Sequence, residues 1–176
     1  MTTTMVFTFV GADKPGLVGK LAQTVSSHGG NWLESRMSEL AGHFAGIVQV
    51  AVSPAQLPAL RAALTELSGD ELTIIVAGAG PRGGDPDPGR LLRLSIIGND
   101  RPGIVREVAT ALAARDINVR NMVTTITSAP MSGAPWFEAT VSVEVTAALD
   151  LAELKQQFDA IANALSVDID MEESLR

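Results

Sequence analysis

The sequence predicts an α+β chain in which one βαββαβ unit occurs twice, and three observations predict it. Gly11-Ala12-Asp13-Lys14-Pro15-Gly16-Leu17-Val18 returns as Gly98-Asn99-Asp100-Arg101-Pro102-Gly103-Ile104-Val105 after a shift of 87 residues, and the same shift carries Ala22 to Ala109 and Asn31 to Asn118 without a gap. The copies are separated by a segment from Gly78 to Gly89 with five glycines and three prolines and nothing apolar beyond alanine, the composition of a linker. Each copy then runs through strand-like and helix-like apolar spacings in the same order. The expected domains are residues 1–77 and 91–176, joined by 78–90.

The elements follow in order. Val6-Phe7-Thr8-Phe9-Val10 and Leu92-Arg93-Leu94-Ser95-Ile96-Ile97 have the alternation or apolar density of strands. Leu17, Val18, Leu21, Ala22 and Val25, matched by Ile104, Val105, Val108, Ala109 and Leu112, share one helical face. Pro15 and Pro102 sit where those helices begin, since a first-turn residue needs no hydrogen-bonded N–H and proline already has a suitable φ. Extended segments at Asn31 to Leu40 and Asn118 to Ser128 pair as hairpins with Phe44 to Val52 and Phe137 to Val145. Second helices are marked by Leu57, Leu60, Leu64 and Leu67, and by Leu151, Leu154, Phe158, Ile161 and Leu165. Strands at Leu72 to Val76 and Val167 to Met171 close each copy, giving the ferredoxin-like split βαβ order. The second hairpin is longer by about six residues around Ser128-Ala129-Pro130-Met131-Ser132-Gly133-Ala134-Pro135. Two readings stay open for it: a tolerated loop insertion, or a contact loop carrying Met131 and Trp136.

Composition narrows the function. With 46% hydrophobic and 19% charged residues the chain can bury a core. The net charge of −7 gives no drive toward a phosphate backbone. Both halves share it, with four Lys/Arg against six Asp/Glu up to Ala77 and eight against twelve from Arg90. The absence of cysteine removes disulfides, thiolate metal sites and cysteine nucleophiles, and fits a reducing compartment. No stretch approaches the ~18 apolar residues of a membrane span, and the N-terminus lacks a basic region ahead of an apolar run, so a cytoplasmic location is expected.

Several motifs resolve to bland readings. Gly78-x-Gly80-x-x-Gly83 matches a dinucleotide fingerprint, but Pro81, Pro86 and Pro88 forbid the helix that must follow it. His28 and His43 are not spaced from carboxylates as metal ligands. Glu172-Glu173 lies in a solvated tail, and Ser132 lacks the context of a nucleophile elbow. No catalytic constellation, metal site or cofactor site is expected.

The repeated Gly-x-Asp-x-Pro-Gly loop is different. It turns a strand into a helix whose first N–H groups, with the helix dipole behind them, suit a carboxylate. Two readings remain open: Asp13 and Asp100 serve a ligand, or they cap the helices while Gly16 and Gly103 permit tight packing. Exposed edge strands, which proteins usually pair or cover, predict that the halves pack together and that the chain self-associates as a homo-oligomer.

The loops Asp13-Lys14-Pro15-Gly16-Leu17-Val18 and Asp100-Arg101-Pro102-Gly103-Ile104-Val105, each followed by an asparagine entering the next strand, resemble ACT domains, small regulatory modules that bind amino acids. The resemblance covers both halves, and Ser128 to Pro135 is similar to a hairpin segment of two-ACT regulators without a DNA-binding domain. It implies a free amino acid as ligand, glycine in such two-ACT regulators, and a protein partner that is itself a DNA-binding activator. The ligand positions it implies are Asp13, Pro15, Gly16, Leu17 and Asn31 in the first copy, and Asn99, Asp100, Gly103, Ile104 and Asn118 in the second, often across an interface between two domains. Asp100 with Asn118 is the favoured pair, and Ala12 against Asn99 is a difference that leaves one site weaker or empty. Two alternatives remain: a regulatory subunit of a separate amino-acid-metabolism enzyme, or a ligand-free dimerisation module.

Overall fold

The computed structural model describes residues 2–78, 89–128, 133–146 and 150–173. Contacts divide the chain into two units, Met1–Gly84 and Asp85–Arg176. All of the expected linker except Gly78, Gly89 and Arg90 lies outside the described residues, as do residues 129–132 of the long hairpin, Met131 among them.

In the first unit the order is β1 (Thr3–Ala12), α1 (Leu17–Ser27), β2 (Asn31–Leu40), β3 (His43–Val52), α2 (Leu57–Leu67) and β4 (Leu72–Val76). In the second it is β5 (Arg90–Asn99), α3 (Ile104–Ala113), β6 (Asn118–Ser128), β7 (Pro135–Val145), α4 (Leu151–Leu165) and β8 (Val167–Glu173). Each sheet is antiparallel with four strands, in the orders β2-β3-β1-β4 and β6-β7-β5-β8. Both units therefore have the expected ferredoxin-like βαββαβ fold. β1 and β5 run longer than their apolar cores because each pairs along its whole length with a neighbour, from Thr3↔Val52 to Ala12↔His43 in one case and from Arg90↔Val145 to Asn99↔Trp136 in the other.

Alternation decides which face is covered. Met5, Phe7 and Phe9 of β1 point to the helices with Val48, Val50 and Val52 of β3, and Leu21, Val25, Leu60 and Leu64 close the core from above. Leu92, Leu94, Ile96, Val141, Val143, Val108, Leu112, Leu154, Phe158 and Ile161 repeat this in the second unit. The opposite face of the first sheet leaves Val10, Ile47 and Ile75 exposed. The strand order makes β1 and β5 central, so the loops that leave them open at one end of each sheet beside the starts of β4 and β8.

Candidate functional site

The strand-to-helix loop is shaped by its second glycine. Gly16 caps α1 with φ 91° and Gly103 caps α3 with φ 89°, a left-handed conformation that L side chains adopt only at a cost. Neither helix receives a side-chain cap. Asp13 and Asp100 are thus not caps: both are exposed, and their backbone N–H groups donate instead to Gly42 O at 2.9 Å and Pro135 O at 3.1 Å, tying the loops to the β2–β3 turn and to the start of β7. First-turn N–H groups such as those of Val18 and Gly19 have no intrahelical acceptor, as at any helix start.

Beside the first loop lies a cavity of about 450 Å³ lined by Ala12, Pro15, Gly16 and Leu17 on one wall and Leu67, Gly69 and Leu72 on another, with Lys14, Lys20, Asp70 and Glu71 around it. Cations flank the start of α1, and carboxylates stand on the connection into β4. Lys14 Nζ donates to Glu71 Oε1 at 2.7 Å, an exposed pair. That hydrogen bond and the lysine charge hold the Glu71 carboxyl below its ordinary value. A bipolar rim of this kind matches both charges of a zwitterion.

The expected ligand residues divide. Pro15, Gly16 and Leu17 line the cavity; Asp13 is in the same loop but is not part of the lining. Asn31 is elsewhere. It pairs with Ala51, which is level with Thr4 at the far end of β1, and the eight steps from Thr4 to Ala12 span roughly 26 Å. The second unit repeats this. Asn99, Asp100, Gly103 and Ile104 stand together at one end of β5, but Asn118 pairs with Glu144, level with Leu91 at the other. Within one domain Asp100 and Asn118 therefore cannot border one pocket, because β2 and β6 run parallel to the central strands that precede the loops. Ile104 is also not available as a contact, being buried in the core. Missing from the expected set were Lys14, Lys20, Asp70 and Glu71.

The second loop is built otherwise. Arg101 Nη2 donates to Glu107 Oε2 at 2.6 Å and to the Leu165 carbonyl at 3.2 Å, joining the start of α3 to the end of α4. The hydrogen bond between them is the main cause that raises the Arg101 pKa and holds that of Glu107 below the ordinary carboxylate value. A side-chain carbon placed on Gly103 would lie 3.3 Å from the Arg106 guanidinium, whereas one on Gly16 would meet nothing within 4 Å. Trp136, expected near the hairpin turn, is in β7 opposite Asn99 and half-buried.

Among the described residues no group of three or more His, Asp or Glu side chains is placed to hold a metal, and no helix is long and apolar enough to cross a membrane.

Comparison with known proteins agrees with this architecture. Models of the ACT domain match residues 3–77 and again residues 92–163. The glycine cleavage system transcriptional repressors of Escherichia coli (strain K12) and Shigella flexneri are each 26% identical over 166 residues, covering 92% of this chain and 85% of theirs. A solved structure of a protein from Galdieria sulphuraria superposes with a TM-score of 0.80 at 26% identity over 99% of this chain and 100% of its own. Another, described as a glycine cleavage system transcriptional repressor, has a TM-score of 0.78 at 20% identity over 100% and 99%, and shows the same fold. The repeated fold, the two loops and these matches together establish that the chain is a regulatory, non-catalytic protein of two ACT domains in tandem and belongs to the ACT-domain family.

Proposed function

We propose that this chain is a cytoplasmic amino-acid-responsive regulator that acts on gene expression through a protein partner and not by touching DNA itself. The observation that carries the reading is the cavity beside the first strand-to-helix loop, with Lys14 and Lys20 at the α1 start facing Asp70 and Glu71. A free amino acid would set its carboxylate at the helix start, where N–H groups and the dipole favour an anion, and its ammonium group against the carboxylates. Glycine is the first candidate, on the likeness to the glycine cleavage system repressors. The net charge of −7 supports an indirect role, because a partner carrying basic residues would have to make the phosphate contacts. Of the residues implied by family resemblance, Asp13, Asn31, Asn99, Asp100 and Asn118 would contribute only from a neighbouring domain or a second copy.

A thermal-shift screen of the common amino acids tests this. A ligand of the native state at 100 times its dissociation constant adds about 2.7 kcal/mol, which moves a melting temperature by several degrees. We expect one or a few small amino acids, glycine among them, to do so. A screen in which none does would sink the reading in favour of a ligand-free dimerisation module.

A further inference from the structure

The two loops have the same motif and do not have the same site. Four differences between them fall in one place. α2 is joined to β4 by four residues, Ser68 to Glu71, whereas α4 passes into β8 through Ser166 alone. The longer connection supplies Gly69 in the second wall of the first cavity and both its carboxylates, Asp70 and Glu71. In the second unit the end of α4 comes up against the loop directly, and Arg101 bonds the carbonyl of its last residue, Leu165.

The remaining differences concern the helix start. Lys20 and Glu107 occupy the same position under the 87-residue shift, so the first helix offers a cation where the second offers an anion. A carboxylate arriving at α3 would meet the Glu107 carboxylate, which already benefits from the dipole there. Gly19 corresponds to Arg106, whose guanidinium lies 3.3 Å from a side-chain carbon placed on Gly103, while such a carbon on Gly16 or Gly19 would meet nothing within 4 Å. Finally, Lys14 reaches outward to the exposed Glu71, but Arg101 turns inward to Glu107 and Leu165.

From these we infer that the chain takes up one amino acid, in the first domain, and that the second loop is closed by its own side chains, with Arg101 as the latch and Glu107 as an internal anion. Amino-acid binding itself rests on the function proposed above; the inequality of the loops is the new claim. The first loop reads a zwitterion by Lys20 and the α1 start at one pole and by Asp70 and Glu71 at the other. A second consequence is that Arg101 positions α4 against α3 and does not contact the ligand.

Calorimetric titration of the full chain with glycine counts the sites, and hydrogen exchange with and without saturating glycine locates them. The expected result is one equivalent per chain, with protection at residues 16–20 and 69–71 and none at 103–107. Lys20→Glu should weaken glycine by at least about tenfold, the loss of a charge-assisted hydrogen bond. Arg101→Ala should leave glycine affinity as it was while raising exchange at the end of α4. Asp70→Asn is a second probe of the first site that needs no charge reversal beside a helix. Two equivalents per chain, or protection at 103–107, would overturn the inequality and leave the amino-acid reading standing. No uptake of glycine by the wild-type chain would overturn both.

Discussion

Gly16 and Gly103 show what a single residue does here. Each begins a helix at a φ near +90°, and no packed neighbour demands a glycine at position 16. The reason for glycine there is therefore conformational. A β-carbon in the left-handed region costs roughly 1–2 kcal/mol, so Gly16→Ala is expected to lower the stability of the first domain by about that much, measured by denaturant unfolding. The same substitution should also reduce amino-acid affinity, since a loop that relaxes to negative φ re-aims the N–H groups at the α1 start. Gly16→Ala with unchanged stability would show that the loop tolerates another path and that its geometry is not what selects glycine. The sequence could say that these glycines matter, but it left open whether Asp13 and Asp100 were caps. An aspartate four residues before the first helical residue is ambiguous until backbone geometry shows which residue holds the cap.

At the scale of elements, the edge strand β2 carries the next expectation. Its Ser35 lies opposite buried Val48 and its Arg36 opposite exposed Ile47, so Glu34 and Arg36 both stand on the sheet face away from the helices. If two copies pair antiparallel with Ser35 on the twofold axis, Glu34 of each copy meets Arg36 of the other, and opposite charges directly across strands contribute about 0.2–1 kcal/mol apiece. Within one strand these two groups make only a long, exposed contact of 3.5 Å. The edge strand β6 has no such complement, because Arg120 is its one charge and already faces Glu144 at 3.4 Å. Paired Cα atoms in antiparallel strands lie about 4.5–5.5 Å apart, inside the range a disulfide spans, and the chain has no cysteine of its own. Ser35→Cys is accordingly expected to oxidise to a covalent dimer, and Ser38→Cys, displaced along both strands, is not. A strict monomer in light scattering, or equal cross-linking at Ser38, would remove β2 from consideration. These elements are legible in the sequence because period and repeat agree: every strand and helix is expected from it, with β2, α2, β4, β6 and α4 matching at both ends. The site was only half legible. Its first wall carries the repeated motif, but its second comes from the α2–β4 connection more than fifty residues later, where the copies differ in length and no repeat marks the place. The asparagines misled for a related reason. Adjacency of a loop and the next strand in the sequence does not survive a helix of 11 residues that returns the chain to the other end of the sheet.

For the molecule as a whole, the decisive quantity is charge. Binding to duplex DNA draws its strength from lysine and arginine displacing condensed cations, with a slope in log affinity against log salt of about −0.9 for each phosphate neutralised. This chain carries 13 basic residues against 20 acidic ones, and acidic residues exceed basic ones in both halves. Several of the basic side chains are committed as well: Lys14 to Glu71, Arg101 to Glu107 and Arg120 to Glu144. A cluster of cations on one surface could still bind despite a negative total, but the basic pair at the first cavity is faced by Asp70 and Glu71, which oppose a polyanion while welcoming a zwitterion. The purified chain is therefore expected to cause no gel shift of duplex DNA at micromolar protein and physiological salt, whether or not glycine is present. If a DNA-binding partner of the kind proposed is present, it should shift its operator alone, and adding this chain should alter that shift in a glycine-dependent way. Micromolar binding by this chain alone, falling steeply as salt rises, would mean that it reaches the phosphate backbone itself and would overturn the proposal that it works through a partner.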